Sequence, residues 1–205
     1  MIEFPRRFYK DDTFPFLWHY VLDVKGTEHR QILEIGSGKG DFLCQYAQKF
    51  PENRILGVEW DTYCAKTTAK KLQKLKLENA MVIRGDLFYF LRDLMPANSV
   101  DEVHMYFPDP WPKRRHQKKR LLLQEGFLEL ICKVLKPGAR PFYWATDHKE
   151  YNTLALQSFR NFPKAKILEE NTAQPTCGIE TGFEKKYKKE GREIFRSVIE
   201  LRAES

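Results

Sequence analysis

The chain has 205 residues, 42% of them hydrophobic and 31% charged, with a formal net charge of +7. That length suffices for one sizeable core and is short for two independently folding enzyme domains, so a single domain over residues 1–205 is expected, and the composition excludes wholesale disorder. The positive balance favours polyanionic partners. The four cysteines, Cys44, Cys64, Cys132 and Cys177, form no Cys-x-x-Cys pair, which argues against a zinc ribbon or a disulfide framework and leaves no metal site in view. The opening MIEFPRRFYKDD carries charge where a leader is apolar, and no run approaches the length of a membrane span. A cytoplasmic protein with no membrane partner is therefore expected.

In chain order, residues 1–30 lack periodicity and mix Arg6, Arg7 and Lys10 with Phe4, Phe8, Tyr9, Phe14, Phe16 and Trp18, an N-terminal arm. From Gln31, short apolar runs alternate with helical stretches, the signature of strand-helix units in a parallel sheet. The predicted strands are QILEIG, RILGVEW, AMVIRGD, VDEVHMYF and PFYWAT. A helix is predicted over 62–77 from Ala65, Ala69, Leu72 and Leu75. Another is predicted over roughly 117–136 from Leu121, Leu128, Ile131 and Leu135, stopped by Pro137-Gly138, and a further one near 150–161. The tail offers AKILEE and IFRSVIEL, separated by a charged loop, as an antiparallel hairpin at the sheet edge. The expected fold class is α/β and Rossmann-like, with a mostly parallel central sheet.

The first motif is Glu34-Ile35-Gly36-Ser37-Gly38-Lys39-Gly40, between an apolar strand and the helical stretch DFLCQYAQKF. Gly36, Gly38 and Gly40 permit positive φ and remove the Cβ atoms that would hold a ligand off the backbone. The spacing is Gly-x-Gly-x-Gly rather than the dinucleotide Gly-x-Gly-x-x-Gly, which weakens a nicotinamide reading. Glu59 ends the second strand, where a carboxylate can accept both hydroxyl hydrogens of a ribose, and Asp86 follows the third, where it can accept from an adenine amino group. Three carboxylates at successive strand ends suit S-adenosyl-L-methionine, which has a cationic sulfonium, an amino group and no pyrophosphate. Residues 31–147 resemble the class I S-adenosylmethionine-dependent methyltransferases in this pattern.

The fourth strand runs into Phe107-Pro108-Asp109-Pro110-Trp111-Pro112 and then Lys113 to Arg120, where Lys113, Arg114, Arg115, Lys118, Lys119 and Arg120 make six of eight residues basic. The flanking prolines predict that the candidate catalytic Asp109 sits on a stiff extended turn. The basic run, starting four residues later, would grip RNA phosphates over the transferable methyl group. Two alternatives stay open on these residues: methylation of another RNA, and a noncatalytic RNA-binding protein.

The segment from Pro108 to His116 resembles the PDPWPKKRH-type motif of the tRNA (guanine-N7-)-methyltransferase family. Thr181-Gly182-Phe183-Glu184 resembles that family's Thr-x-Phe-Glu motif, and Asp147 after the fifth strand matches a substrate-contacting Asp. The resemblance implies cofactor contacts at Glu34, Glu59, Asp86 and Asp109. It implies substrate contacts at Lys113, Asp147, Thr181, Gly182, Phe183 and Glu184, and tRNA as partner, with a variable-loop guanine as target. The chain departs from the family in reading Thr176-Cys177-Gly178-Ile179-Glu180 where Arg-Pro often precedes the Thr. Oligomeric state, monomer or homodimer, is left open. His104, alternating with Val103 and Met105, reads as a packed or paired side chain, His116 as an RNA contact, and Phe142, Tyr143 and Trp144 as core.

Overall fold

Five apolar runs pair side by side because each is flanked by a helix that covers one face of the sheet they form. The computed structural model describes residues 2–3, 29–111, 113–139 and 141–203, without the side chains of Ile2, Glu3, Arg114 and Lys118. The proposed arm over 1–30 lies outside the described residues apart from 2–3 and 29–30. In chain order the elements are β1 (Ile2–Glu3), β2 (Gln31–Ile35), α1 (Asp41–Lys49), β3 (Arg54–Glu59), α2 (Thr62–Leu75) and β4 (Ala80–Arg84). A short helix α3 (Leu87–Tyr89) continues into one π turn (Phe90–Leu94) before β5 (Glu102–Tyr106). Then come α4 (Phe127–Val134), β6 (Phe142–Thr146), α5 (Lys149–Asn161), β7 (Ala165–Glu170), α6 (Gly182–Lys189) and β8 (Phe195–Leu201).

The sheet order is β1-β4-β3-β2-β5-β6-β8-β7. Pairing is parallel from β1 through β6, and β8 runs antiparallel to both β6 and β7. The expected antiparallel edge is present, with β8 inserted between β6 and the edge strand β7. The order reverses between β2 and β5, so the carboxyl ends of these two strands flank the crevice where open α/β sheets bind ligands.

Each face of the sheet has its own core. Leu33, Ile35, Val103, Met105, Phe142 and Trp144 pack with α3, α4 and α5 on one side, while Ile32, Ile55 and Val82 pack with Phe42, Leu43 and Tyr46 of α1 and Ala65 and Leu72 of α2 on the other. Trp144 donates its indole N–H to Asn152 Oδ1 at 3.0 Å, so the core role expected for this aromatic strand holds with its polar atom satisfied. His104 is fully buried, with Nε2 2.7 Å from Glu102 Oε1, Nδ1 2.6 Å from the Tyr106 hydroxyl and its ring stacked on Tyr143. It is the packed, paired histidine that its place in the strand suggests.

Three expectations are corrected. The single helix over 117–136 is instead two 3-10 turns, Arg114–Lys119 and Leu121–Leu123, followed by α4. Gly126 takes φ +77°, a left-handed conformation that interrupts the helical ladder, and Leu128, Ile131 and Leu135 remain buried beyond it. The charged loop before β8 contains α6, whose Thr181 side chain accepts from the Glu184 amide at 3.0 Å. Thr-x-x-Glu is the sequence form of a capping box, so the start of this helix was legible in principle. In α2 the buried stripe is Ala65, Thr68 and Leu72, while Leu75 is exposed. Among the described residues no helix is long and apolar enough to cross a membrane.

Candidate active site

The glycine loop is bound to the neighbouring strand and helix at both of its turns. Gly36 donates to the Val58 carbonyl (2.9 Å), Gly38 donates to Glu59 Oε2 (2.7 Å), and the Gly38 carbonyl accepts from Thr68 Oγ1 (3.0 Å). Gly40 precedes α1 at φ +74°, where an added Cβ would come within 2.5 Å of Thr68 Cγ2. Thr68 therefore sets the height of the loop above the sheet, a role that its place in a lysine-rich helix did not reveal. Glu59 Oε1 accepts from the Asp61 amide at 2.7 Å. Its carboxylate, with about four acceptor positions, thus retains capacity for a ligand after these two bonds. Asp86 is exposed at the end of β4, with Oδ1 capping α3 through the Tyr89 amide at 2.9 Å.

Glu34 is buried, 3% exposed, and its Oε2 lacks a hydrogen-bond partner. Burial, reinforced by the nearby Glu59 and Asp41 carboxylates, pushes its carboxyl up to about 8 from the ordinary 4.5. Between those values the folded chain holds a proton that the unfolded chain has released, so stability falls as pH rises through this window. Glu34→Gln is expected to melt higher than the unliganded parent, by a margin that widens between about pH 5 and about pH 8. Thermal melts at both pH values check this; an equal margin at both would remove the buried proton from the explanation.

Asp109 lies on an exposed loop held at each end. Phe107 (φ +49°) donates to the Ala145 carbonyl at 2.7 Å, Trp111 takes φ +41°, and the Pro110 carbonyl accepts from Arg120 Nε at 2.6 Å. The turn is thus clamped from outside, while Phe107 and Trp111, each directly before a proline, depart from the extended backbone that the prolines suggest. Arg120 departs from the expected phosphate contact: it is fully buried, its guanidinium 5.0 Å from the Tyr151 ring and 3.4 Å from Glu150. The exposed cations of this segment include Lys113, Arg115 and Lys119, the last lying 4.6 Å over Trp111, and His116 packs edge-on against the same ring. Arg114 and Lys118 contribute their backbone to the same turn.

The end of β6 and the start of α6 complete the rim. Asp147 Oδ2 accepts from Arg192 Nη1 at 2.7 Å. Gly182 lies against the Asp41 carboxylate, which a side chain there would have to displace, and Asp41 in turn pairs with Lys71 at 2.6 Å. Thr181 is the helix cap, and Glu184 is buried against Arg196 and 3.2 Å from Lys188, so both side chains bond within the chain. Phe183 is half-exposed and reaches toward Gly38. The carboxyl ends of the parallel strands thus present Glu34, Glu59, Asp86, Asp109 and Asp147 along one rim, with Phe183 beside the glycine loop. Sequence reasoning missed Tyr187 and Arg192 there, because only the insertion of β8 next to β6 places them. Among the described residues no group of three or more His, Cys, Asp or Glu side chains is placed to hold a metal ion.

A family model described as "Putative methyltransferase" matches residues 28–197. A tRNA (guanine-N(7)-)-methyltransferase from Thermotoga maritima is 32% identical over 187 residues, 90% of this chain and 57% of that protein. One from Methylobacillus flagellatus is 40% identical over 158 residues, 75% of this chain and 64% of that protein. The match thus spans less than two thirds of the length of either relative. Among solved structures, the 16S rRNA methyltransferase KamB superposes with a TM-score of 0.64 at 16% identity, over 89% of this chain and 92% of that one. With the strand order above, the fold is that of the class I S-adenosylmethionine-dependent methyltransferases. A tRNA (guanine-N(7)-)-methyltransferase from Nitrosomonas europaea, 34% identical over 82% of this chain and 74% of that protein, takes the similarity further than the fold, and the chain belongs to the tRNA (guanine-N(7)-)-methyltransferase family.

Proposed function

We propose that this protein methylates N7 of a guanine in tRNA with S-adenosyl-L-methionine as donor, in the cytoplasm. The observation that carries this reading is the shared rim: a buried carboxylate oxygen without a partner at Glu34 and a clamped carboxylate at Asp109, next to a run of exposed cations. The donor supplies an electrophilic methyl group. Glu34 Oε2 fits its amino group, the remaining acceptor capacity of Glu59 fits its ribose hydroxyls, and Asp86 fits its adenine amino group. Gly36, Gly38 and Gly40 let it lie close to the backbone.

Guanine N7 carries an in-plane lone pair and needs no base to remove a proton before it attacks. Alignment at about 3 to 3.5 Å therefore supplies much of the acceleration. Asp109 stabilises the positive charge that spreads over the purine, and with Asp147 it accepts from the ring imino and exocyclic amino groups, a donor pair that adenine lacks. Thr181 and Glu184 fix the start of α6, and Gly182 lets it approach α1, so that Phe183 meets the base. Lys113, Arg115 and Lys119, with Arg114 and Lys118 on the same turn, hold the backbone of a loop whose base is taken out of its stack. Arg120 acts on the loop of Asp109 and not on the RNA.

Incubation of total tRNA with the protein and the methyl donor, followed by mapping of the product, tests the reading. N7-methylguanine in the variable loop is expected, and a methyl group on another base, or none, overturns it. Removing the cations of Lys113, Arg115 and Lys119 one at a time is expected to lower the slope of log affinity against log salt by about 0.7 to 0.9 for each phosphate that is no longer neutralised. Unchanged affinity and slope would make the cluster a solvated face.

A further inference from the structure

A group of aromatic and charged side chains beside Asp147 joins Phe107 and Phe183, which belong to the motifs above, to Tyr187 and Arg192, which do not. It exists because β8 begins opposite the end of β6, with Phe195 paired to Thr146, so the segment from α6 to β8 must pass along the rim. Phe183 is 49% exposed and its ring stacks on Tyr187, with centroids 6.0 Å apart and planes 29° apart. Phe107, in its left-handed conformation at the end of β5, turns its ring edge-on to Tyr187 at 5.5 Å. A Cβ on Gly38 would touch Phe183 Cε2 at 3.8 Å, which places this aromatic surface between the glycine loop and Asp147.

Arg192 joins the surface to the carboxylate. Its guanidinium lies 4.6 Å over the Tyr187 ring while Nη1 donates to Asp147 Oδ2 and Nη2 lies 2.7 Å from Glu190 Oε2. A planar fork that stacks on a ring and grips a carboxylate with one edge is within the reach of arginine and not of lysine. The contact engages one oxygen of Asp147. Burial pushes the Tyr187 hydroxyl up, the Asp147 carboxylate adds to it, and the Arg192 guanidinium opposes it.

We infer that Tyr187 and Arg192 complete the guanine pocket, Tyr187 as the ring that backs the exposed Phe183, on which the flipped base stacks, and Arg192 as the positioning residue that holds Asp147 Oδ2 and turns Oδ1 to the base's N–H donors. The inference rests on the proposed methyl transfer to guanine and names the side chains that select the base. Stacking of a base on an aromatic ring is sequence-tolerant, so Tyr187 contributes affinity, and the orientation of Asp147 contributes discrimination.

The test uses the full chain and tRNA transcripts carrying guanine or inosine at the methylated position, inosine lacking the exocyclic amino group. Tyr187→Leu, which keeps apolar bulk, is expected to raise KM for tRNA about 5- to 100-fold, with Tyr187→Phe close to the parent. Arg192→Ala is expected to lower the guanine-over-inosine preference in kcat/KM about tenfold, with Arg192→Lys restoring less than half of it. A structural role alone would change stability and total rate without changing that preference. Folded Arg192→Ala protein with the parent's preference, together with an unchanged KM in Tyr187→Leu, overturns the inference while the parent still methylates guanine. A parent that transfers no methyl group to the guanine transcript overturns the proposed function and this pocket with it.

Discussion

Asp109→Ala is expected to lower single-turnover methyl transfer to tRNA by roughly 10²- to 10³-fold with the methyl donor saturating, while RNA affinity at fixed salt changes far less. The two effects separate because they arise in different parts of the site. On the proposed function, affinity comes from several phosphate contacts to cations that include the exposed Lys113, Arg115 and Lys119, each independent of the carboxylate. The carboxylate acts where charge develops, and a group that is stronger in the transition state than in the ground state appears in kcat. Its loop is suited to this: the Phe107 amide is fixed to Ala145 at 2.7 Å and the Pro110 carbonyl to buried Arg120 at 2.6 Å, so Asp109 needs little reorganisation when the base arrives. Saturating donor is required because the family resemblance also implies a contact between Asp109 and the donor. Near-normal transfer by the variant would leave Asp109 as a structural strand-end residue.

Much of this arrangement could be read from the chain alone, for a physical reason. A parallel strand buried on both faces is a near-continuous apolar run, and a carboxylate at its end stands out against that run, so Glu34, Glu59, Asp86 and Asp147 were legible in place. Residues whose role depends on a tertiary partner were not. Arg120 closes a run of cations and reads as solvated, yet it turns inward because the Pro110 carbonyl and the Tyr151 ring are there to receive it. Thr68 sits among lysines and reads as surface, yet it is fully buried beneath Gly38. Helix α6 reads as a charged loop because much of what fixes it is polar, the Thr181 cap and the Glu184 pair, rather than an apolar stripe. Tyr187 and Arg192 are silent in the sequence for a topological reason, since the insertion of β8 between β6 and β7 follows from no local pattern.

The pair that fixes α6 also carries the largest expected effect on stability. Glu184 is 3% exposed and Arg196, on β8, is 6% exposed. The two are in direct contact, Arg196 Nη1 also reaches the Thr172 carbonyl at 3.3 Å, and Lys188 adds a second cation to Glu184 at 3.2 Å. Removing one partner leaves the other charged and out of water, which costs about 3 to 5 kcal/mol. Arg196→Ala is expected to show that cost in denaturant unfolding, less whatever Lys188 neutralises of the orphaned Glu184 carboxylate, and Glu184→Ala is expected to cost a similar amount, less whatever the Thr172 and Ala173 carbonyls absorb of the orphaned guanidinium. The Arg160–Glu170 pair, 2.5 Å apart with side chains 55% and 38% exposed, is the control; Arg160→Ala is expected to cost about 0 to 1 kcal/mol because water screens both groups. Replacing the buried pair together by Met and Leu is expected to recover most of the stability, since the cost lies in the unpaired charge rather than in the missing bond. Equal destabilisation by Arg196→Ala and Arg160→Ala would show that burial does not govern the α6 contact. Because α6 holds Phe183 and Tyr187 at the rim, the destabilised variant is also expected to bind its tRNA less tightly at temperatures where the rest of the chain stays folded, which hydrogen exchange confined to residues 181–189 would report.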